Sequence, residues 1–248
     1  AIQIAPESFT PRVDLGYLYM NALGKPEKAA KAYRDAIAVN PKSAGVRYAL
    51  GNALILLNKK DEAEAELKEA GRLEPANPLS FYALGRLYSA DKKYAEALEA
   101  FHQALKAQPK FTEAHLASGD LYLAMGEDKK ALSEYDAALR TSPGYAPAYV
   151  RIGMLHQANK DRLKAEKAYR AAIEHDPEHA LAYNNLAWLA VEYNGDMNEA
   201  LKWGKKAVEI MPDNAAFMDT LGWVYKTRKE LDMAVSVLEK AVAAGPQQ

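Results

Sequence analysis

Proline punctuates this chain at intervals that leave few folds open to it. Pro41, Pro75, Pro109, Pro143 and Pro177 stand 34 residues apart, Pro212 follows at 35, Pro246 at 34, and Pro6 precedes Pro41 by 35. Proline lacks the amide hydrogen a helix needs, its ring clashes with the preceding turn, and it drives the residue before it toward extended backbone. No helix can run through these positions. The segments between them are too short to be separate domains and too regular to be unrelated, which is the mark of a stacked repeat.

Within each segment small residues return at fixed phases. Numbering each repeat so that its proline is position 32, position 8 is Gly51, Gly85, Gly119, Gly153, Ala187 and Gly222. Position 20 is Ala63, Ala97, Ala131, Ala165, Ala200 and Ala234, and position 27 is Ala70, Ala104, Ala138, Ala172, Ala207 and Ala241. Glycine inside a helix costs roughly 1 kcal/mol relative to alanine, so its return at one phase requires a second helix packed close against it. Large residues fill the spaces between: position 11 is Tyr88, Tyr122 and Tyr225 with Leu54 and His156 as variants, and position 24 is Leu67, Phe101, Tyr135, Tyr169 and Leu238. Ala97, Phe101, Ala104 and Leu105 follow the spacing of an amphipathic helix. Each repeat is therefore expected to hold an A helix and a B helix, joined by a short polar turn such as GEDKK from Gly126 or NKKDE from Asn58.

Small residues at positions 8, 20 and 27, aromatic residues or leucine at 11 and 24, and proline at 32 resemble the tetratricopeptide-repeat (TPR) signature over nearly the whole chain. The resemblance implies an all-α fold, a right-handed α-solenoid superhelix of tandem helix–turn–helix repeats, with A helices lining the concave side. The expected organisation is a single array over residues 1–248, with 1–6 the remnant of an upstream repeat and repeats at about 7–41, 42–75, 76–109, 110–143, 144–177, 178–212 and 213–246. Two repeats depart from the pattern. In the first, Gly16 and Tyr19 come one residue early, and in the sixth Gly204 takes position 24 beside Trp203. Each carries one extra residue, near Gly24 and Gly195, expected as a longer or bulged A helix.

Charge and composition exclude several functions. Lys and Arg total 32 against 33 for Asp and Glu, mixed in sign along the chain, so no basic surface is set up for nucleic-acid phosphates. The absence of cysteine removes disulfides, thiolate metal sites and a cysteine nucleophile. No apolar run reaches the roughly 18 residues of a membrane span, and AIQIAPESF lacks a signal-peptide layout. His102, His115, His156, His175 and His179 are scattered in phase, and Pro177 interrupts the last two, so no metal site is expected. There is no phosphate-cradling loop, nucleophile elbow or HExxH. Neither an enzyme nor a cofactor is expected.

The resemblance places groove-facing side chains at positions 2, 5, 9 and 12 of helix A. Positions 5 and 9 supply Tyr48, Asn52, Tyr82, Arg86, Asp120, Met154, Asn184, Trp188, Asp219 and Trp223 as candidate partner-binding residues, with Tyr17 equivalent in the first repeat. A tyrosine or tryptophan at helical spacing equally serves as core, so Tyr48 and Tyr82 have two open readings. Lys59, Lys60, Asp61 and Glu62 read as solvated turn charges. Asn52, Asn185 and Arg151 match the carboxylate clamp of TPR chaperone adaptors only singly, so no such clamp is expected.

The function implied is a non-catalytic protein–protein interaction scaffold that binds a peptide or partner segment in a concave groove. Val235, Leu238 and Val242 of the last helix have no polar cap after them, which points to homo-oligomer contacts through uncapped ends. NNLAWLAVEY from Asn184 and DTLGWVYKTRKELDMAVSVLEKAV from Asp219 resemble bacterial TPR proteins of exopolysaccharide export and exosortase systems. That implies an assembly factor, periplasmic or cytoplasmic, with any signal or anchor outside the fragment. A self-assembling structural protein and a regulatory or substrate-presenting domain excised from an enzyme stay open as alternatives.

Overall fold

The computed structural model describes residues 8–245, so the remnant at 1–6 and Pro246 lie outside the described residues. The chain divides into two compact units, Ala1–Glu127 and Asp128–Gln248. The first holds α1 (Phe9–Tyr17), α2 (Pro26–Val39), α3 (Ala44–Leu56), α4 (Lys60–Leu73), α5 (Pro78–Ala90), α6 (Tyr94–Ala107) and α7 (Thr112–Ala124). The second holds α8 (Asp128–Thr141), α9 (Ala146–Ala158), α10 (Arg162–His175), α11 (Ala180–Glu192), α12 (Met197–Ile210), α13 (Ala215–Thr227) and α14 (Leu231–Ala244). No strand occurs among the described residues. Inside each unit every helix packs on the next in chain order, and alternate helices also meet: α3 with α5 and α5 with α7, then α9 with α11 and α11 with α13.

Two kinds of turn produce this order. Ahead of their prolines, Asn40, Glu74, Gln108, Asp176 and Met211 have φ between -138° and -130°, the extended backbone that a following proline imposes. Between the A and B helices one residue per repeat adopts positive φ: Gly24, Asn58, Lys92, Gly126, Lys160, Asn194 and Lys229. The next N–H then closes on a carbonyl five residues back, as in Lys59 to Leu54 and Lys93 to Tyr88, both 2.9 Å, which satisfies a helix-end carbonyl.

The irregular repeats accommodate their extra residue differently. In the first, α1 continues as a π-helical turn, Leu18–Ala22, and the closing bond runs from Lys25 N–H six residues back to the Tyr19 carbonyl at 2.8 Å, so helix A is bulged as expected. In the sixth the expectation is corrected. Helix α11 has the ordinary 13 residues and closes normally from Gly195 N–H to the Ala190 carbonyl at 2.8 Å. The extra residue is Gly195 itself, placed between Asn194 and Asp196, whose carboxylate caps α12 by accepting from the N–H of Asn198 at 2.7 Å. A longer turn, rather than a longer helix, absorbs it.

The glycines at position 8 sit where a B-helix side chain presses on the A helix. A Cβ on Gly51 would lie 2.7 Å from Leu67, one on Gly222 would lie 2.6 Å from Leu238, and one on Gly16, Gly85 or Gly153 would collide with the ring of Tyr33, Phe101 or Tyr169. Of the alanines at positions 20 and 27, Ala63, Ala70, Ala97 and Ala104 are fully buried, and Ala241 of the last helix is half-buried. A recurring tether also appears at position 4. Arg47 Nε donates to the Pro41 carbonyl at 3.0 Å and Tyr149 Oη donates to the Pro143 carbonyl at 3.1 Å, tying the first turn of helix A to the proline turn before it.

Candidate functional site

In the first unit the contact between α3 and α5 leaves an open furrow. Tyr48 and Asn52 stand one turn apart on α3, Tyr82 and Arg86 stand one turn apart on α5, and all four line a depression of roughly 390 Å³. Met20, Ile55, Leu56, Leu87 and Ala90 give it an apolar surface, and Lys60 joins from the first turn of α4. No carboxylate is among the lining residues. Lys60 is exposed, as expected of a solvated turn charge, and is also paired with Asp91. Arg86 is exposed and, among the described residues, forms no ion pair.

Tyr48 and Tyr82 combine the two readings open in the sequence. Both are half-buried and pack on the core cluster that contains Leu67, Leu84 and Phe101, while still lining the furrow. The Tyr82 ring lies 5.8 Å from Phe101 and 5.1 Å, edge-on, from Phe111. Burial pushes its phenol above the ordinary value; Arg86 opposes this, and the charges of Glu113 and Asp120 reinforce it. Asp120, on α7, thus lies within electrostatic reach of Tyr82 without lining the furrow itself.

The second unit gathers the other candidates on α9, α11 and α13. Trp188 on α11 and Trp223 on α13 are each 38% exposed, so neither indole is core. Lys226 Nζ sits 3.8 Å above the Trp223 ring and occupies one of its faces. Asp219 is exposed one turn before Trp223, and Met154 on α9 is also exposed. Asn184 is half-buried beside Asn185, and its Oδ1 has no hydrogen-bond partner among the described residues.

Sequence reasoning missed several lining residues. Met20 and Ile55 fall at position 12, which the groove rule names, so their signal was present; Leu56 and Lys60 lie just past it and had none. A second, smaller cavity of roughly 130 Å³ between α10, α11 and α12 was also missed. Trp203 walls it with Arg170 stacked 5.0 Å from its ring, and Trp203 beside Gly204 was the only sequence cue. Among the described residues no cluster of His, Asp and Glu is placed to hold a metal ion, and no helix is long and apolar enough to cross a membrane.

Sequence profiles of the tetratricopeptide repeat match residues 21–87, 82–146, 144–213 and 215–248, covering the chain almost end to end. The chain belongs to the tetratricopeptide-repeat family. Solved TPR structures share its fold. A TPR protein from Parabacteroides merdae ATCC 43184 is 18% identical, with 97% of this chain and 94% of that chain covered at a TM-score of 0.72. PilF of Pseudomonas aeruginosa is 18% identical, with 90% and 97% covered at a TM-score of 0.69. YrrB, described as a TPR protein with an unusual peptide-binding site, is 25% identical, with 76% and 97% covered at a TM-score of 0.54. No curated protein sequence matches this TPR chain.

Proposed function

We propose that this TPR chain is a non-catalytic scaffold that binds an extended segment of a partner protein, with the furrow between α3 and α5 as its main seat. One observation carries the reading: Tyr48, Asn52, Tyr82 and Arg86, drawn from two successive A helices, line one depression with an apolar surface and unspent polar groups. Aromatic rings anchored in a core, with an edge presented beside an arginine, are the usual makings of a binding hot spot. The peptide-binding site named for YrrB supports the same use of the fold. Trp188 and Trp223 form a second contact strip on this reading. The seven repeats act as one array over 1–248, and the partner belongs to a bacterial assembly or export system, as the resemblance of the last two repeats suggests.

The test is affinity capture with the full chain, with a Tyr48→Ala/Tyr82→Ala variant and with a Trp188→Ala/Trp223→Ala variant, each checked for unchanged helical circular dichroism. Loss of a captured partner with the tyrosine pair supports the furrow. Capture retained by both variants removes it.

A second reading, self-association, is favoured by Leu231, Val235 and Val242, which stand 61%, 55% and 82% exposed on α14. An exposed apolar stripe of this kind is a common interaction surface. Light scattering of the full chain against a Val235→Lys/Val242→Lys variant tests it, and equal monomeric mass for both would dismiss it.

A further inference from the structure

We infer that the furrow between α3 and α5 selects an acidic–apolar peptide, an extended segment that sets an internal Asp or Glu side chain next to one large apolar side chain. This rests on the scaffold reading above and specifies its ligand.

The charge of the lining is one-sided. Lys60 and Arg86 contribute to it and no Asp or Glu does. Arg86 also differs from its neighbours. Arg34, Arg47 and Arg72 of the same unit hold Glu62, Glu66 and Glu69 at 2.6, 2.6 and 2.7 Å, whereas Arg86 presents its guanidinium without an ion pair among the described residues. An open guanidinium is a planar fork of donors matched to a carboxylate, and Asn52, at the same repeat position on the adjacent A helix, adds an amide donor. Lys60 is already engaged by Asp91, whose carboxylate offsets its charge, so Arg86 carries the open positive charge of the furrow.

Opposing charges limit the site to one carboxylate. Glu113 and Asp120 on α7 are within electrostatic reach of Tyr82, so a second ligand acid placed toward α7 would meet repulsion. The surface left for the rest of the ligand is apolar: Met20, Ile55 and Leu56, the last 66% exposed. A volume of roughly 390 Å³ holds one large side chain and the backbone beside it, not a folded element. A peptide's terminal carboxylate would end the chain over Arg86, so residues from one side only could reach Met20, Ile55 and Leu56, whereas an internal acid lets the chain continue in both directions across the lining. The internal side chain is therefore the occupant.

Selection from displayed random peptides tests this with the intact chain as bait. One library is fused at its C-terminus, so that it has no free terminal carboxylate, and a second ends freely. The fused library is expected to enrich Asp or Glu beside Leu, Ile, Phe or Met, and Arg86→Glu is expected to convert the acidic preference to Lys or Arg. For an enriched peptide made as its amide, Arg86→Ala and replacement of the peptide's Glu by Gln should each weaken binding roughly tenfold, the size of one charge-assisted contact. If Tyr48→Ala/Tyr82→Ala abolishes selection but Arg86→Glu leaves its charge preference unchanged, the furrow stands and the acidic specificity falls. Enrichment confined to the free-ended library also overturns the proposal. Enrichment indifferent to all of these substitutions sinks the furrow itself.

Discussion

Gly204 and Leu221 meet across the packing of α12 on α13, where a methyl group on Gly204 would come 3.2 Å from Leu221 Cδ1. In the neighbouring repeats position 24 is large and presses on a glycine at position 8, as Tyr169 does on Gly153. Here position 8 is Ala187, position 24 is the glycine, and the bulk has moved to Trp203, which packs against the core cluster that contains Leu186 and Tyr169. The sixth repeat keeps a close approach of helices but makes it toward the following A helix.

Two glycines at matched helical depth should therefore respond oppositely to alanine. Gly204→Ala asks only the flexible end of Leu221 to shift by a few tenths of an ångström, and it gains about 1 kcal/mol of helix propensity. It should be neutral or slightly stabilising. Gly153→Ala drives a methyl into the buried Tyr169 ring, an overpacking that costs about 1–3 kcal/mol. Urea unfolding followed by far-ultraviolet circular dichroism separates the two, and equal losses would mean that Leu221 cannot yield and that Gly204 is packed as tightly as Gly153.

The positive-φ turn residues yield a second contrast. Lys160 holds φ at 59° and Gly126 at 75°. A side chain costs about 1 kcal/mol or more in this region, partly offset by the larger unfolded-state entropy of glycine. Lys160→Gly should stabilise by roughly 0.5 kcal/mol and Gly126→Ala should destabilise by about 1 kcal/mol. Thermal melts of the two variants read this directly, and a destabilised Lys160→Gly would contradict it.

Most of the fold can be read from chemistry that acts locally. Proline fixes the residue before it, small residues mark close helix contacts, and both effects survive in any tertiary setting, so the phases of Pro41, Gly51 and Ala63 place helices correctly. The site is less legible because it depends on what meets across two helices. Tyr48 and Asn52 could be assigned to a groove phase, but that Arg86 lacks an acid while Arg47 has Glu66 follows from rotamers and neighbours no repeat pattern encodes. Likewise the extra residue of the sixth repeat cannot be placed in helix or turn until the bond from Gly195 to Ala190 is seen.

Ion pairs of similar length should differ in worth. Arg47 bridges Glu66 on α4 and the Pro41 carbonyl with its side chain 16% exposed, whereas Arg72 pairs with Glu69 one turn away with its side chain 69% exposed. Exposed pairs contribute about 0–1 kcal/mol. Arg72→Ala should lie near the bottom of that range, while Arg47→Ala, which loses two bonds and strands a half-buried Glu66, should cost about 1–2 kcal/mol. Denaturation at low and high salt checks this: the Arg47 effect should persist in salt.

Tyr169 should make the second unit sensitive to alkali. Its ring is fully buried over Gly153, and its hydroxyl donates to Gln157 Oε1 at 2.9 Å. Burial pushes the phenol well above the ordinary 10.0, the reach of Asn185 lowering it only in part. Below pH 10 the folded and unfolded chains both keep the proton, and the contribution is fully present. As the pH rises past 10.0 the unfolded phenol ionises while the folded one does not, so the unfolded state binds fewer protons and stability falls. The fall continues until the raised native value is reached. Tyr33, Tyr82 and Tyr88 are raised as well, so the comparison with Tyr169→Phe isolates this residue. That variant should lose about 1 kcal/mol at neutral pH with its hydrogen bond, yet lose less than the parent between neutral pH and pH values above 10. Urea midpoints across that range, with tyrosinate absorbance recorded in parallel, provide the measurement. Parallel alkaline declines for the two proteins would show that Tyr169 ionises as freely folded as unfolded.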